Sequence, residues 1–391
     1  MFEIEEVWGQ NAKIKVIGVG GAGGNAINNM IASNIQGVEF VAINTDLQVL
    51  ETSLAPVKVQ IGKDLTRGLG AGSDPQIGRE AAIEDRNAII EVLESADMVF
   101  ITAGMGGGTG TGAGPVIADI AKELGALTVA VITKPFFYEG RKRILNAEEG
   151  IKEMKKYVDT FIVIPNDKIA LVVEKGTPLL KSFAVANEVL KMAVQSISDI
   201  ILTPGLINVD FADVRTIIED KGRGVMGSGF GRGQGGALEA AKKAITNPLL
   251  EEPSIEGATG VLLNITGGLN LSLDDVKEAA SFVFDSAHDE VNLIFGAVVD
   301  PDLDDEVRVT VIATGFDEEK QRVELPQIKK WSPVKETLNP KFKASNKFLT
   351  KSLESIHVPD LTTSATDYIN YEDTLDIPAF LRKSPPPHRE I

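Results

Sequence analysis

Residues 98–112 read MVFITAGMGGGTGTG, and the change of character half-way along decides the fold. Met98–Ala103 is an unbroken apolar run, as a strand buried on both faces requires. Gly104-Met105-Gly106-Gly107-Gly108-Thr109-Gly110-Thr111-Gly112 then places six glycines in nine positions. Turning a corner does not justify that loss of backbone entropy. A run of N–H groups unshielded by side chains makes an anion-binding concavity, and the two threonine hydroxyls add donors. Pro115–Leu124 follows as a helix, with Pro115 expected at an early position where its missing N–H costs little. Strand, glycine nest and helix in succession point to phosphate held at a helix N-terminus; a flexible linker is the alternative.

The same order of elements recurs near the amino end. Ile14–Val19 (IKVIGV) is a second apolar run, followed by Gly18-Val19-Gly20-Gly21-Ala22-Gly23-Gly24-Asn25. Read as G-x-G-x-x-G at 18, 20 and 23, opening a helix over Asn25–Ala32, it fits a second phosphate loop. A tight strand-to-helix turn is the plainer reading. Asp46, just past the strand Val38–Asn44, stands where a ribose-binding acid would in a dinucleotide site. Neither loop is a G-x-x-x-x-G-K-[ST] motif, and a dinucleotide fold has no use for the second nest.

Further strands are expected at Leu127–Thr133 and Phe161–Pro165. The resulting βαβ rhythm argues for an open, mostly parallel sheet with helices on both faces. From Pro178 to about Leu202 runs a long, unusually apolar helical pattern that stops at Thr203-Pro204-Gly205. Beyond it, helices (Gly236–Ile245, Leu273–Phe284) mix with strands (Val261–Ile265, Leu293–Val299, Val307–Ala313) in a second, smaller α/β unit. The division expected is a flexible N-terminus at 1–12, domains at 13–177 and 204–318 joined by the helix at 178–203, a linker at 319–365 and a terminal segment at 366–391.

Composition excludes several chemistries. The 391 residues contain no cysteine, so disulfides, thiolate catalysis and Cys-type zinc sites are ruled out. The three histidines (His288, His357, His388) are scattered and late, which disfavours a Ser-His-Asp triad or a His-rich metal site. A net charge of −17 argues against a protein that coats nucleic acid, a role needing a basic stripe. The first ten residues, MFEIEEVWGQ, are acidic and lack the apolar core of a signal peptide. No apolar run of about 18 residues offers membrane insertion. The expected class is a soluble cytoplasmic protein.

Every one of the 38 glycines lies at or before Gly315, whereas residues 319–391 hold 8 of the 18 prolines. That tail carries a net +2, leaving −19 upstream. Its KKWSPVKETLNPKFKASNKF stretch (329–348) is too poor in apolar periodicity to fold alone. DTLDIPAFLRK (373–383) then supplies a short apolar motif before SPPPHREI. It reads either as an incidental apolar stretch or as a tethered recognition peptide with Ile377, Phe380, Leu381 and Arg382 as anchors.

GGGTGTG at 106–112 is the signature loop of the tubulin-like GTPases. The chain resembles that family, its bacterial cell-division branch in particular, over nearly all of residues 11–318. NTD (44–46), TRGLGAG (66–72), TKPF (133–136), IPND (164–167) and NVDFADVR (208–215) carry the likeness further, and DIPAFLR (376–382) is similar to the family's C-terminal partner-binding peptide. The fold implied is α/β and tubulin-like: a Rossmann-type GTP-binding domain joined by a long central helix to a smaller α/β C-terminal domain, with a disordered tail.

By that resemblance, Gly21, Ala22, Gly23, Gly24 and Asn25, with Gly108, Thr109 and Gly110, hold the phosphates of GTP or GDP. Ala71 and Gly72 lie where the family senses the γ-phosphate. Glu139 and Arg143 correspond to ribose and nearby phosphate contacts; locally they read as a charged helix start. Phe183 and Asn187, four apart on one helix face, correspond to base stacking and base recognition, although an apolar-helix Phe is ordinarily core. Asn187 stands where some relatives have Asp. Asn208, Asp210 and Asp213 correspond to a catalytic loop that acts on the neighbouring subunit's nucleotide. Local sequence alone makes Asp210 a helix cap and Asp213 a first-turn acid. Mg²⁺ is expected to arrive with the GTP phosphates, without a protein metal site.

The implied function is a self-assembling GTPase that forms head-to-tail filaments and the cytokinetic ring at mid-cell beneath the inner membrane. Its expected partners are other copies of itself, with membrane-tethering adaptors and division regulators bound through Asp376–Arg382. An NAD-dependent oxidoreductase built on Gly18–Gly23 and Asp46 is the rival enzyme, and a nucleotide-gated scaffold without turnover the non-catalytic rival. The terminal SPPPHREI departs from many relatives, which end near the motif.

Overall fold

Alternation along the first strand gives the molecule its two faces. In the computed structural model, β1 (Ile14–Val19) sends Ile14 and Val16 into one apolar core and Ile17 and Val19 into another. The structure describes residues 12–169, 171–173, 176–202, 205–207, 209–247, 254–288 and 290–316. The expected linker and terminal peptide therefore lie outside the described residues, as does Asn208. No described helix is long and apolar enough to cross a membrane.

After β1 come α1 (Gly20–Ala32), β2 (Val38–Asn44), the short α2 (Leu47–Glu51), β3 (Val57–Gln60) and the short α3 (Lys63–Thr66). Next are α4 (Pro75–Glu84), α5 (Arg86–Leu93), β4 (Met98–Gly104), α6 (Thr109–Glu123), β5 (Leu127–Lys134), α7 (Arg141–Met154) and β6 (Thr160–Pro165). A single turn, α8 (Asn166–Ile169), leads to the long α9 (Leu179–Leu202) and to α10 (Phe211–Ile218). The remainder is β7 (Gly222–Arg232), α11 (Gly236–Ile245), β8 (Gly260–Gly267), α12 (Leu273–Asp285), β9 (Asn292–Val299) and β10 (Glu306–Thr314).

The ten strands form one sheet in the order β3-β2-β1-β4-β5-β6-β7-β10-β8-β9. Strands β1 to β6 are parallel throughout. β7 joins β6 in parallel at Thr160–Ile162 opposite Gly222–Gly224, whereas β10 runs antiparallel to both β7 and β8. The two expected α/β units are thus continuous through backbone hydrogen bonds. On one face each has its own core: α4 to α7 cover the first strands, and α11 and α12 cover the last. On the other face a shared core links α1, α9 and α10 with Met226, Leu262 and Ile312 of the C-terminal strands.

α9 is held by its apolar stripe. Ala186, Val189, Leu190, Ala193, Val194, Ile197 and Ile200 are buried at helical spacing. Each buried Val, Leu or Ile of that stripe stabilises by about 1.5–3 kcal/mol. Those terms together outweigh the roughly 0.5 kcal/mol per residue that β-branched side chains lose in helix propensity.

Each expected strand is found to within a residue or two; β3, α4 and α5 were not anticipated, and three further features differ. α1 begins at Gly20, not Asn25, and α6 begins at Thr109, not at Pro115. The glycine stretches coil into the first turns themselves, so Pro115 sits inside α6 and not in its first turn. Tertiary packing prevails over poor propensity there, for every residue from Thr109 to Ala118 is buried. Finally, β7 (GRGVMGSGFGR) is a strand that its glycines concealed. A Cβ at Gly227, Gly229 or Gly231 would lie 1.9, 2.1 or 2.0 Å from the carbonyl oxygens of Ala244, Ala240 and Gly236. The alternating glycines let the backbone of α11 lie directly on the strand.

Candidate functional site

In a doubly wound sheet, ligands bind where successive connections leave on opposite faces. β1 pairs with β2 on one side and β4 on the other, with Gly18 opposite Thr102 and Val19 opposite Ala103. α1 leaves towards one core and α6 towards the other. Between their N-termini lies a cleft of about 470 Å³, bounded on its far wall by α9.

The end of the cleft between the two helices is lined by backbone. Gly20, Gly21, Ala22 and Asn25 come from α1; Gly107, Gly108, Thr109 and Gly110 come from the nest and the start of α6. Neither helix has an acidic residue in its first turn, so unsatisfied N–H groups and positive helix ends face the space unopposed. Thr109 Oγ1 hydrogen-bonds Thr45 Oγ1 at 2.7 Å, tying α6 to the loop after β2. Gly106 N–H donates to Thr111 Oγ1 at 2.8 Å and Met105 N–H to Thr133 O at 2.9 Å, closing the nest on itself and on β5. Such a surface receives an anion through uncharged donors.

The opposite end is built from side chains. Glu139 Oε1 accepts from Phe136 N–H at 2.9 Å, and Oε2 pairs with Arg143 Nη1 at 2.5 Å. Phe136 stacks on Tyr138, centroids 4.9 Å apart, and meets Phe183 edge-on at 5.7 Å and 84°. Phe183 is 40% exposed on α9 while lining the cleft, so part of its ring is open to a flat ligand there. Asn187, one helical turn on, lines the same wall with Ala186 and Leu190.

Several lining residues were not assigned to the site from sequence: Thr133, Pro135, Asn166, Ala186 and Leu190. Asn166, the first residue of α8, is 7% exposed, and its Oδ1 is buried without a hydrogen-bond partner. A buried unpaired amide oxygen is costly unless a ligand supplies the donor. The IPND motif was the available signal, but nothing local distinguishes its Asn from a turn residue.

Residues 13–174 match the family model described as Tubulin/FtsZ family, GTPase domain, and residues 222–317 that of the FtsZ family, C-terminal domain. A structure of an empty FtsZ dimer from M. jannaschii is 45% identical, with a TM-score of 0.75, covering 78% of this chain and 89% of that one. The chain belongs to the FtsZ family. CetZ2 from Haloferax volcanii, in a GTPγS-bound protofilament, shares the fold at 21% identity and a TM-score of 0.68, covering 78% of this chain and 94% of that one. CetZ1 from the same organism, a GDP-bound monomer, does so at 23% and 0.67, covering 78% and 95%.

This FtsZ-family chain is therefore a GTPase with a tubulin-like fold, and GTP and GDP are its nucleotides. Of the residues expected at the site, Gly21, Ala22, Asn25, Gly108, Thr109, Gly110, Glu139, Arg143, Phe183 and Asn187 line one cleft. Gly23 and Gly24 are buried within α1, and a Cβ on Gly23 would lie 2.3 Å from Thr102 O. Ala71 is buried behind Gly108, and Gly72 lies beyond it outside the lining. Asp210 and Asp213 are exposed at the start of α10, also outside the cleft lining, and Asp210 Oδ1 caps the helix by accepting from Asp213 N–H at 2.7 Å.

The dinucleotide reading of Asp46 is corrected. Its Oδ1 accepts from Gln48 N–H and Val49 N–H at 3.0 and 3.3 Å, capping α2, and it does not line the cleft. Local capping is the role that the residue type and its position before a helix favour.

Proposed function

We propose that this GTPase assembles head to tail and that each active site is completed by the next subunit. The observation that carries the reading is a division of chemistry. Among the described residues, the only charged side chains in the cleft lining are Glu139 and Arg143, and both oxygens of Glu139 are already engaged. The cleft binds but has no free base to orient water. Exposed carboxylates stand instead on Asp210 and Asp213, outside their own cleft. Presented to a neighbour's γ-phosphate, they would orient and polarise the attacking water while the amide nest stabilises the transferring phosphoryl group.

Exposed apolar side chains lie beside both halves. Leu206, four residues before Asp210, is 72% exposed, as is Phe137 beside the Glu139 turn. A heterologous contact between unlike faces that does not close produces a filament. The M. jannaschii relative is described as a dimer and CetZ2 as a protofilament. Gly21, Ala22 and Asn25 with Gly108 to Gly110 hold the phosphates in this reading; Glu139 and Arg143 hold the ribose side, and Phe183, Asn187 and Asn166 the base. Ala71, packed against Gly108, reports on the γ-phosphate from behind the nest. The lining provides no carboxylate cage, which fits a Mg²⁺ ion that arrives on the phosphates and neutralises their charge. The filaments build the division ring, and Asp376–Arg382 binds the adaptors that tether it.

Subunit mixing tests the shared site. Asp213→Ala retains the cleft, whereas Gly21→Trp is chosen to obstruct it, because Gly21 lines the cleft and a Cβ there meets nothing within 4 Å. Each alone is expected to be inactive, and an equimolar mixture to regain GTP turnover because one subunit's loop serves the other's nucleotide. A mixture that stays inactive, or an Asp213→Ala protein with wild-type turnover, would sink the reading.

A further inference from the structure

α10 is held at both ends, and the hold at its N-terminal side has no counterpart in ordinary helix capping. At the far end, Thr314 and Thr160 donate their hydroxyls to Ile217 O and Ile218 O, each at 2.6 Å. On the approach, the chain lies along the outer edge of β9. Leu206 N–H and Ile207 N–H both donate to Ala297 O, at 2.9 and 3.3 Å, and Ala297 N–H donates to Ile207 O at 3.2 Å. Two loop residues thus oppose one strand residue, the two-against-one geometry of a β-bulge, which re-aims the chain leaving it. Three residues later that chain reaches Asp210.

The approach requires residue 205 to be glycine for space alone. Gly205 is not among the positive-φ residues, so no backbone conformation demands it. A Cβ there would lie 2.5 Å from Ala297 O and 3.3 Å from Val298 Cγ2. The nearest obstacle is strand backbone, which cannot rotate aside as a side chain can. The loop would have to lift off β9, carrying the N-terminal side of α10 with it.

We infer that Gly205, pressed against Ala297 of β9, is a positioning residue for GTP hydrolysis: it sets where Asp210 and Asp213 stand when presented to the next subunit. The inference rests on the shared-site reading above. Gly205 does not line the cleft of its own subunit, so its effect belongs in turnover and not in binding. Misplacing a positioned group by about 1 Å costs up to about 100-fold in rate.

The test compares the full-length Gly205→Ala protein with Asp210→Ala and with the double variant. A second single variant, Ala297→Pro, breaks the clamp from the β9 side by removing the N–H that donates to Ile207 O, on an edge strand where proline is tolerated and with no change at 205 or 206. Expected for both single clamp variants are a GTP Kd and KM within about twofold of wild type, normal sedimentation of polymer with a non-hydrolysable GTP analogue, and kcat lowered about 10- to 100-fold. Adding Gly205→Ala to Asp210→Ala should cost nothing further, because one acts through the other. Wild-type kcat in both clamp variants, weakened nucleotide binding, lost polymer, additive losses in the double variant, or failure of both clamp variants to fold would each overturn the inference. Wild-type turnover in Asp210→Ala would instead overturn the shared-site reading beneath it.

Discussion

Asp199 shows how much a single carboxyl can cost this fold. It sits half-buried on α9, and removal from water pushes it up from 3.8 to about 6. Arg308 and a hydrogen bond from Gln195 pull the other way, and Asp300 adds to the rise. An acid whose folded pKa exceeds its unfolded one binds more protons when folded, so stability falls as pH rises from about 4 to about 6. Asp199→Asn is expected to flatten that slope and to stabilise the protein by about 1–3 kcal/mol above pH 6. Thermal unfolding across pH 4–7 measures it; an unchanged slope would remove Asp199 as its source. At this scale the sequence was legible for where glycine backbone would lie, since Gly21 and Gly108 do line the cleft, and less so for side chains. Asp46 became a cap, and Asn166 entered the cleft, because what a polar side chain faces depends on strands far apart in the chain.

Glycine does different work in different elements. The nests at α1 and α6 present N–H groups, whereas the glycines of β7 make room for α11. Gly229→Ala would place a Cβ 2.1 Å from Ala240 O. It is expected to cost about 3 kcal/mol or more by forcing strand and helix apart. Chemical denaturation reads that loss, and a midpoint within error of wild type would contradict the packing. The central parallel strands were readable because burial on both faces demands continuous apolar runs, whereas β3 (VKVQ), half exposed at the sheet edge, carries no such run. β7 was not, because its glycines answer to a helix packed across it and not to its own periodicity. The early starts of α1 and α6 were hidden for a related reason: burial of their first turns outweighs the intrinsic reluctance of glycine to be helical.

For the whole molecule, the continuous ten-stranded sheet makes the nucleotide cleft and the α10 carboxylates parts of one body. Specific GTPase activity should therefore rise steeply above an assembly concentration, and removing Asp376–Ile391 should leave that threshold unchanged while abolishing adaptor binding. Turnover independent of protein concentration, or a threshold displaced by the truncation, would contradict the scheme. The sequence by itself determined the family, the βαβ order, both glycine nests, the long apolar helix and the absence of cysteine chemistry, since each is written in local composition or spacing. Only the tertiary structure decided that the two α/β units share one sheet, that Asn166 joins the cleft, that Asp46 does not, and that Gly205 lies against Ala297. Those outcomes depend on backbone from distant segments approaching to within a side chain's width, and no local pattern of residues encodes such a distance.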